Sequence, residues 1–371
     1  MTGNSGLEGV VIGESRISSI IGAQLTYCGY EIDDLAENAE FEEVVYLLWH
    51  DKLPNAEELA SFKKELYEHA FLNDDAKNFY KTFVDKSVHP MSALRTAVSL
   101  LSHTDPNAEE QGEAATLTKA IRIQSKIPSI VAAIARTRKG LDVIDPDPNY
   151  GYAKNFLYML NGTEPTEVEV EAMNKALILH ADHEINASTF AARVIVATLS
   201  DMYSGITGAI GALKGPLHGG ANEKVMAMLE EIGSLDNVDD YIHDKLAKKE
   251  KIMGIGHRVY KEGDPRAKYL KDMARRLTEE SGEPELYEMS VRIADIIKEE
   301  KGLLPNVDFF SASVYHSLGI EHELFTPIFA VSRTSGWIAH IFEQYENNRL
   351  IRPRAEYNGH TNRKYEPVEN R

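Results

Sequence analysis

The sequence predicts an all-α fold. Apolar residues recur at helical spacing in stretch after stretch, and alternation of the strand type is confined to one short segment. Neither a repeat nor a low-complexity tract interrupts the pattern. In chain order, residues 9–21, rich in Val, Ile and Ser, read as a short N-terminal β-hairpin. Helices are expected over 41–49, 55–70, 91–102 and 113–138. Pro128 is expected to kink or divide the last of these, because proline lacks an amide and crowds the preceding turn. The next helix, 167–181, opens on the capping box Thr166-Glu167-Val168-Glu169, in which hydroxyl and carboxylate each satisfy an orphan amide. Within it Met173, Ala176, Leu177 and His180 fall on one face. Further helices are expected over 187–203, 222–232, 264–281, 285–300 and 324–348.

Gly205, Gly208, Gly211 and Gly215 recur at intervals of three or four. Each glycine costs a helix about 1 kcal/mol relative to alanine. Ile206, Ile210 and Leu213 interleave at helical spacing, so close approach to another helix, in the core or across a dimer interface, is favoured over a flexible loop.

The chain has 371 residues and 41.5 kDa, enough for two domains or one large one. Hydrophobic residues at 43% and charged residues at 26% exclude wholesale disorder. The formal net charge of −18 repels phosphate backbones and anionic lipids, which argues against nucleic acid or a membrane surface as partner. Any anionic substrate must therefore be met by local basic groups. Cys28 is the single cysteine, so neither an internal disulfide nor a Cys-based zinc site is expected. Residues 1–10 lack the basic and apolar regions of a signal peptide, and no apolar run is long enough to span a bilayer. A cytoplasmic protein is expected.

Three segments carry candidate chemistry. In Lys214-Gly215-Pro216-Leu217-His218-Gly219-Gly220-Ala221-Asn222, a histidine flanked by glycines precedes a helix. A helix N-terminus presents free amides and partial positive charge, which keeps an imidazole neutral and able to polarise an oxygen. The competing reading is a histidine that merely caps the helix. In Met253-Gly254-Ile255-Gly256-His257-Arg258-Val259-Tyr260-Lys261, glycines again bracket a histidine, and Arg266 and Lys268 follow. In so acidic a chain this cluster suits an anion better than a solvated charge run. It fits a dinucleotide fingerprint poorly, having two of the three glycines and no preceding strand. In Leu304-Pro305-Asn306-Val307-Asp308-Phe309-Phe310, an acid lies among apolar neighbours, where burial raises a carboxyl pKa and strengthens it as a base. The alternative is an N-cap Asp for a helix over 309–318. His180-Ala181-Asp182-His183-Glu184 invites a metal, but the zincin order is absent and no third ligand is evident, so no metal is expected.

Taken in order, these segments resemble citrate synthase of the short type found in Gram-positive bacteria and archaea. The similarity runs from about Gly6 to Tyr357, and its motifs include Val331-Ser332-Arg333 and Arg352-Pro353. One departure is Ile255, where the family often carries an aromatic residue. The resemblance implies a large helical domain (1–220 and 320–371) with a smaller inserted one (221–319) that closes over the substrate. It implies condensation of acetyl-CoA with oxaloacetate, followed by hydrolysis of the citryl thioester. Asp308 would be the base, His218 would stabilise the enolate, and His257 would polarise the oxaloacetate carbonyl. Arg266, Arg333 and Arg352 would hold the two carboxylates with His183, Arg352 coming from the partner in a homodimer. Gly254, Ile255, Gly256, Arg258 and Lys261 would contribute to the coenzyme A site. Coenzyme A enters as a co-substrate thioester, and no tightly bound cofactor is implied. Two alternatives stay open: a 2-methylcitrate synthase using propionyl-CoA, and a metal-dependent hydrolase built on His180 and His183.

Overall fold

The strand-forming segment lies later in the chain than the sequence suggests, and it holds three short strands. In the computed structural model, which describes residues 6, 7, 9–257, 260 and 263–371, β1 (Ser18–Ile21) pairs with β2 (Gln24–Tyr27), and β2 with β3 (Tyr30–Glu31). Residues 10–15 were expected in the hairpin, but they form no strand and lie exposed. Their β propensity has no partner strand or apolar face to act against. The sheet matters to the site through Tyr27, which is fully buried with its hydroxyl 3.1 Å from the carbonyls of Ile178 and Asp182.

The remaining regular structure among the described residues is helical. The first half holds α1 (Ile32–Asn38), α2 (Phe41–His50), α3 (Ala56–His69), α4 (Asp74–Phe83), α5 (Pro90–Thr104), α6 (Glu113–Arg138), α7 (Tyr152–Asn161) and α8 (Glu167–His180). The second holds α9 (Ala187–Val196), α10 (Met202–Leu213), α11 (Ala221–Ile232), α12 (Val238–Ala247), α13 (Ala267–Glu280), α14 (Pro284–Lys301), α15 (Val307–Ser317) and α16 (Phe325–Glu346). The fold class is all-α, as read from the sequence.

Two helices are divided differently from the expectation. Helix α6 runs undivided through Pro128. The carbonyl of Gln124, which the missing proline amide would have served, instead accepts from the Tyr152 hydroxyl at 2.8 Å. The expected helix 187–203 is two helices. Leu199 adopts a left-handed φ of 66°, and Asp201 caps α10 by accepting from the Ser204 amide at 2.9 Å. Gly205 and Gly208 then lie against Val196 and Ile195 of α9, so these two glycines serve close helix contact within one chain, whereas Gly211 and Gly215 do not.

Helix α16 is buried continuously from Phe325 to Ile341 and packs against α2, α6, α8, α9 and α10. A helix buried on all sides belongs at the centre of a large core. Helices α11, α13 and α14 pack around α15, and α13 also packs on α8. The start of α15 is thereby carried towards the end of α8.

Candidate active site

Arg333 stands on the buried α16, 2% exposed. Its Nε donates to the His180 carbonyl at 2.7 Å, and its guanidinium lies 4.7 Å from the Phe329 ring centre. Its other N–H groups make no hydrogen bond among the described residues. Burial lowers its pKa to about 10, an arginine with an unmet demand for an anion. This positive charge bears on His218, His183 and Asp308 alike.

His218 lies in the turn after α10, where its amide donates to Gly215 O at 2.9 Å. Its Nε2 sits 2.7 Å from Ser188 Oγ and 3.3 Å from the Ser188 amide, in the first turn of α9. An amide can only donate, so Nε2 accepts and the ring proton is left to Nδ1. Burial, with Arg333 adding, lowers the pKa to about 4. A helix N-terminus does meet the imidazole. It is that of α9, not of the following α11 as the sequence suggested.

His257 and Asp308 are joined through backbone. Gly256 N donates to Leu304 O at 2.8 Å, and Asn306 N donates to Gly254 O at 2.9 Å, with Ile255 paired to Pro305. Asn306 adds side-chain bonds, donating through Nδ2 to Gly256 O at 2.8 Å and accepting from the Asp308 amide at 3.0 Å. Gly254 has φ 74°, and a Cβ there would lie 2.9 Å from Phe309 Cα, so only glycine lets this loop lie on α15. The N-cap of α15 is Asn306 and not Asp308, which corrects the capping alternative and frees the Asp308 carboxylate. Burial pushes that carboxyl up to about 6, against the opposing pull of Arg266 and Arg333.

The His257 Nδ1 accepts from the Tyr260 amide at 3.1 Å, which leaves Nε2 to carry the ring proton. Its ring centre is 5.3 Å from that of His183 and 4.7 Å from that of Tyr260. His183 is held neutral, well below the ordinary imidazole range, by burial and by the charges of Arg266 and Arg333. Arg266, 3% exposed, opens α13 in a bidentate pair with Asp264 (Nε–Oδ1 2.9 Å, Nη2–Oδ2 2.8 Å). A recess of about 100 Å³ is lined by Gly256, His257, Tyr260, Asp264 and Leu304. A separate cavity of about 410 Å³, lined by Glu42, Lys63 and Tyr150, includes none of these site groups.

Other expected residues fall elsewhere. Arg352 lies exposed beyond α16 and bonds to nothing among the described residues, so this chain alone does not bring it to the cluster. Arg258 and Lys261 lie outside the described residues. The metal alternative fails on geometry: His180 ends α8 with Nδ1 donating to Ala176 O at 2.7 Å and its ring against Phe329, while His183 turns to His257. Among the described residues no three His, Cys, Asp or Glu side chains could share an ion. Sequence reasoning gave no role to Asp264, Tyr260, Ser188 or Asn306. Only Asn306 had a local signal, as an Asn just before a helix.

Residues 6–354 match the family described as citrate synthase, C-terminal domain. This chain belongs to the citrate synthase family. It is similar to citrate synthase 2 of Bacillus subtilis (strain 168), 63% identical over the full length of both chains. It is also similar to the 2-methylcitrate synthase of Shewanella oneidensis, 41% identical over 99% of this chain and 98% of that one. Among solved structures it superposes on the citrate synthase of Thermoplasma acidophilum in ternary complex with carboxymethyl coenzyme A and oxaloacetate, with a TM-score of 0.93 and 38% identity over 99% of this chain and 98% of that one. As a citrate synthase family member the chain is an enzyme, an acyltransferase of the citrate (Si)-synthase type. Among the described residues no helix is long and apolar enough to cross a membrane.

Proposed function

We propose that this chain condenses acetyl-CoA with oxaloacetate and hydrolyses the resulting thioester to citrate and CoA. The observation that carries the reading is the convergence of Arg333 on a neutral imidazole, His218, and on a carboxyl of raised pKa, Asp308. A carboxylate of ordinary pKa, about 3.9, is too weak to deprotonate a thioester methyl unless the enolate oxygen is stabilised as it forms. Asp308 takes that proton. Nδ1–H of His218 donates to the thioester oxygen, an interaction worth roughly 3–4 kcal/mol for one preorganised donor. The enolate carbon then attacks the oxaloacetate ketone. Nε2–H of His257 polarises that carbonyl and stabilises the new alkoxide through a hydrogen bond.

Arg266 and Arg333, with His183, hold the oxaloacetate carboxylates, for which guanidinium forks are suited. Arg352 completes the set from the partner subunit of a homodimer. The backbone of Gly254–Gly256, with Arg258 and Lys261, receives coenzyme A. Residues 221–319 form a small domain that closes on residues 1–220 and 320–371 after oxaloacetate binds, excluding water from the enolate.

The 41% identity to a 2-methylcitrate synthase keeps propionyl-CoA as the second reading, behind acetyl-CoA, the reading carried by the 63% identity to a citrate synthase. One methylene separates the two acyl groups and is worth about 1–3 kcal/mol of discrimination. Thiol release from each acyl-CoA, with and without oxaloacetate, tests both readings. Release from acetyl-CoA that requires oxaloacetate is expected, with Asp308→Ala abolishing it while oxaloacetate still binds. Near-normal turnover by that variant removes Asp308 as the base.

A further inference from the structure

We propose that Asp264 is a positioning residue that ties the seat of Arg266 to the first turn of α15, so that one carboxylate sets both the substrate-holding cation and the base. The inference rests on the role given above to Asp308. Asp264 is a shared acceptor. Its Oδ1 accepts from the Arg266 amide at 3.1 Å and from Arg266 Nε at 2.9 Å. Its Oδ2 accepts from Arg266 Nη2 at 2.8 Å and from the Val307 amide at 3.0 Å. Four donors fill the capacity of a carboxylate, and its side chain is wholly inaccessible.

The consequences run in two directions. With Nε and one Nη2 hydrogen committed to Asp264, Arg266 keeps Nη1 and the other Nη2 hydrogen for a substrate carboxylate, in a fixed plane. Val307 is the first residue of α15 and Asp308 the second, so the bond to the Val307 amide fixes the turn from which the base projects. Charge links them as well. Among the described residues, charged and titratable groups that bear on Asp308 include Arg266, Arg333, Asp264 and Tyr315. Arg266 and Arg333 favour its ionised form, and Asp264 opposes them. Asp264 therefore partly cancels the charge of the arginine it holds and preserves the basicity of Asp308.

The test compares wild type, Asp264→Asn and Val307→Pro in the thiol-release assay across pH. Asp264→Asn leaves Arg266 unopposed, so the acid limb of kcat moves down by about one pH unit as kcat falls about tenfold or more. Val307→Pro deletes the amide donor and exchanges the buried isopropyl group for a ring of similar size. Proline suits the first position of a helix, and Asn306 before it is already extended (φ −101°, ψ −176°). That variant should lose about threefold or more in kcat, with KM for oxaloacetate and the acid limb unchanged. A purely structural ion pair would lower activity without moving the limb in Asp264→Asn. An unmoved limb, or wild-type kcat in Val307→Pro, overturns the proposal. If Asp264→Asn does not fold, Val307→Pro decides alone. Should wild type itself release no thiol, the functional reading fails; should wild type work and the variants match it, only the coupling fails.

Discussion

The two sides of the site are built by different means. On the α16 side, position comes from burial. Trp337 is fully buried and donates through Nε1 to Ser188 Oγ at 3.1 Å, and Trp49 Nε1 donates to Ser335 O at 3.0 Å. Beneath His183 a closed polar network holds the loop. His340 Nε2 lies 3.2 Å from Asp182 Oδ1, and Arg193 Nη1 donates to Glu343 Oε2 at 2.6 Å. On the α15 side, burial of the helix is joined by a few directed bonds that fix the start of α15 against the neighbouring loop, those of Asn306, Asp264 and the 254–256 backbone. Burial fixes charge states and resists change. Directed bonds fix geometry at little cost in stability, and a segment held that way can move as a unit.

The contrast predicts where function and stability part. Asp308 lies on the stitched side, and its ionised form is disfavoured there, with a pKa of about 6 against an ordinary 3.8. A folded pKa above the unfolded one means the native state loses stability as pH rises from about 4 through about 6. Asp308→Asn should therefore be inactive yet more stable than wild type by roughly 2–3 kcal/mol at pH 8. The gain should shrink to roughly 0.5 kcal/mol near pH 4 and vanish below about pH 3, where folded and unfolded carboxyls alike are protonated. Denaturant melts at the two pH values measure it, and equal stability at pH 8 would mean that Asp308 is not strained. A smaller effect follows for Asn306→Ala. Loss of its cap costs about 1 kcal/mol, while kcat falls about tenfold because His257 and Asp308 lose their shared anchor. Stability loss without a rate change would break the comparison.

How far the sequence carried this account follows from the same contrast. Helix positions, the glycine contact of α10 and the acid in an apolar setting rest on local pattern, so they could be read directly. The split at Leu199 and the unbroken α6 could not, because each depends on a tertiary partner: Asp201 capping a new helix, and Tyr152 serving the carbonyl that Pro128 leaves. At the site, histidines bracketed by glycine signalled themselves. Asp264 and Ser188 did not, since nothing in the sequence says that Asp264 reaches Val307 or that His218 reaches α9. Long-range polar contacts leave no periodicity to detect.

The pH dependence of kcat/KM in wild type tests the central claim most directly, that a carboxyl whose pKa is raised by burial removes the methyl proton. Activity should require the ionised form, so kcat/KM should fall through a single-proton acid limb that is half-maximal near pH 6. A rate that stays level down to pH 4.5, roughly where an unperturbed carboxyl would still be ionised, would contradict it.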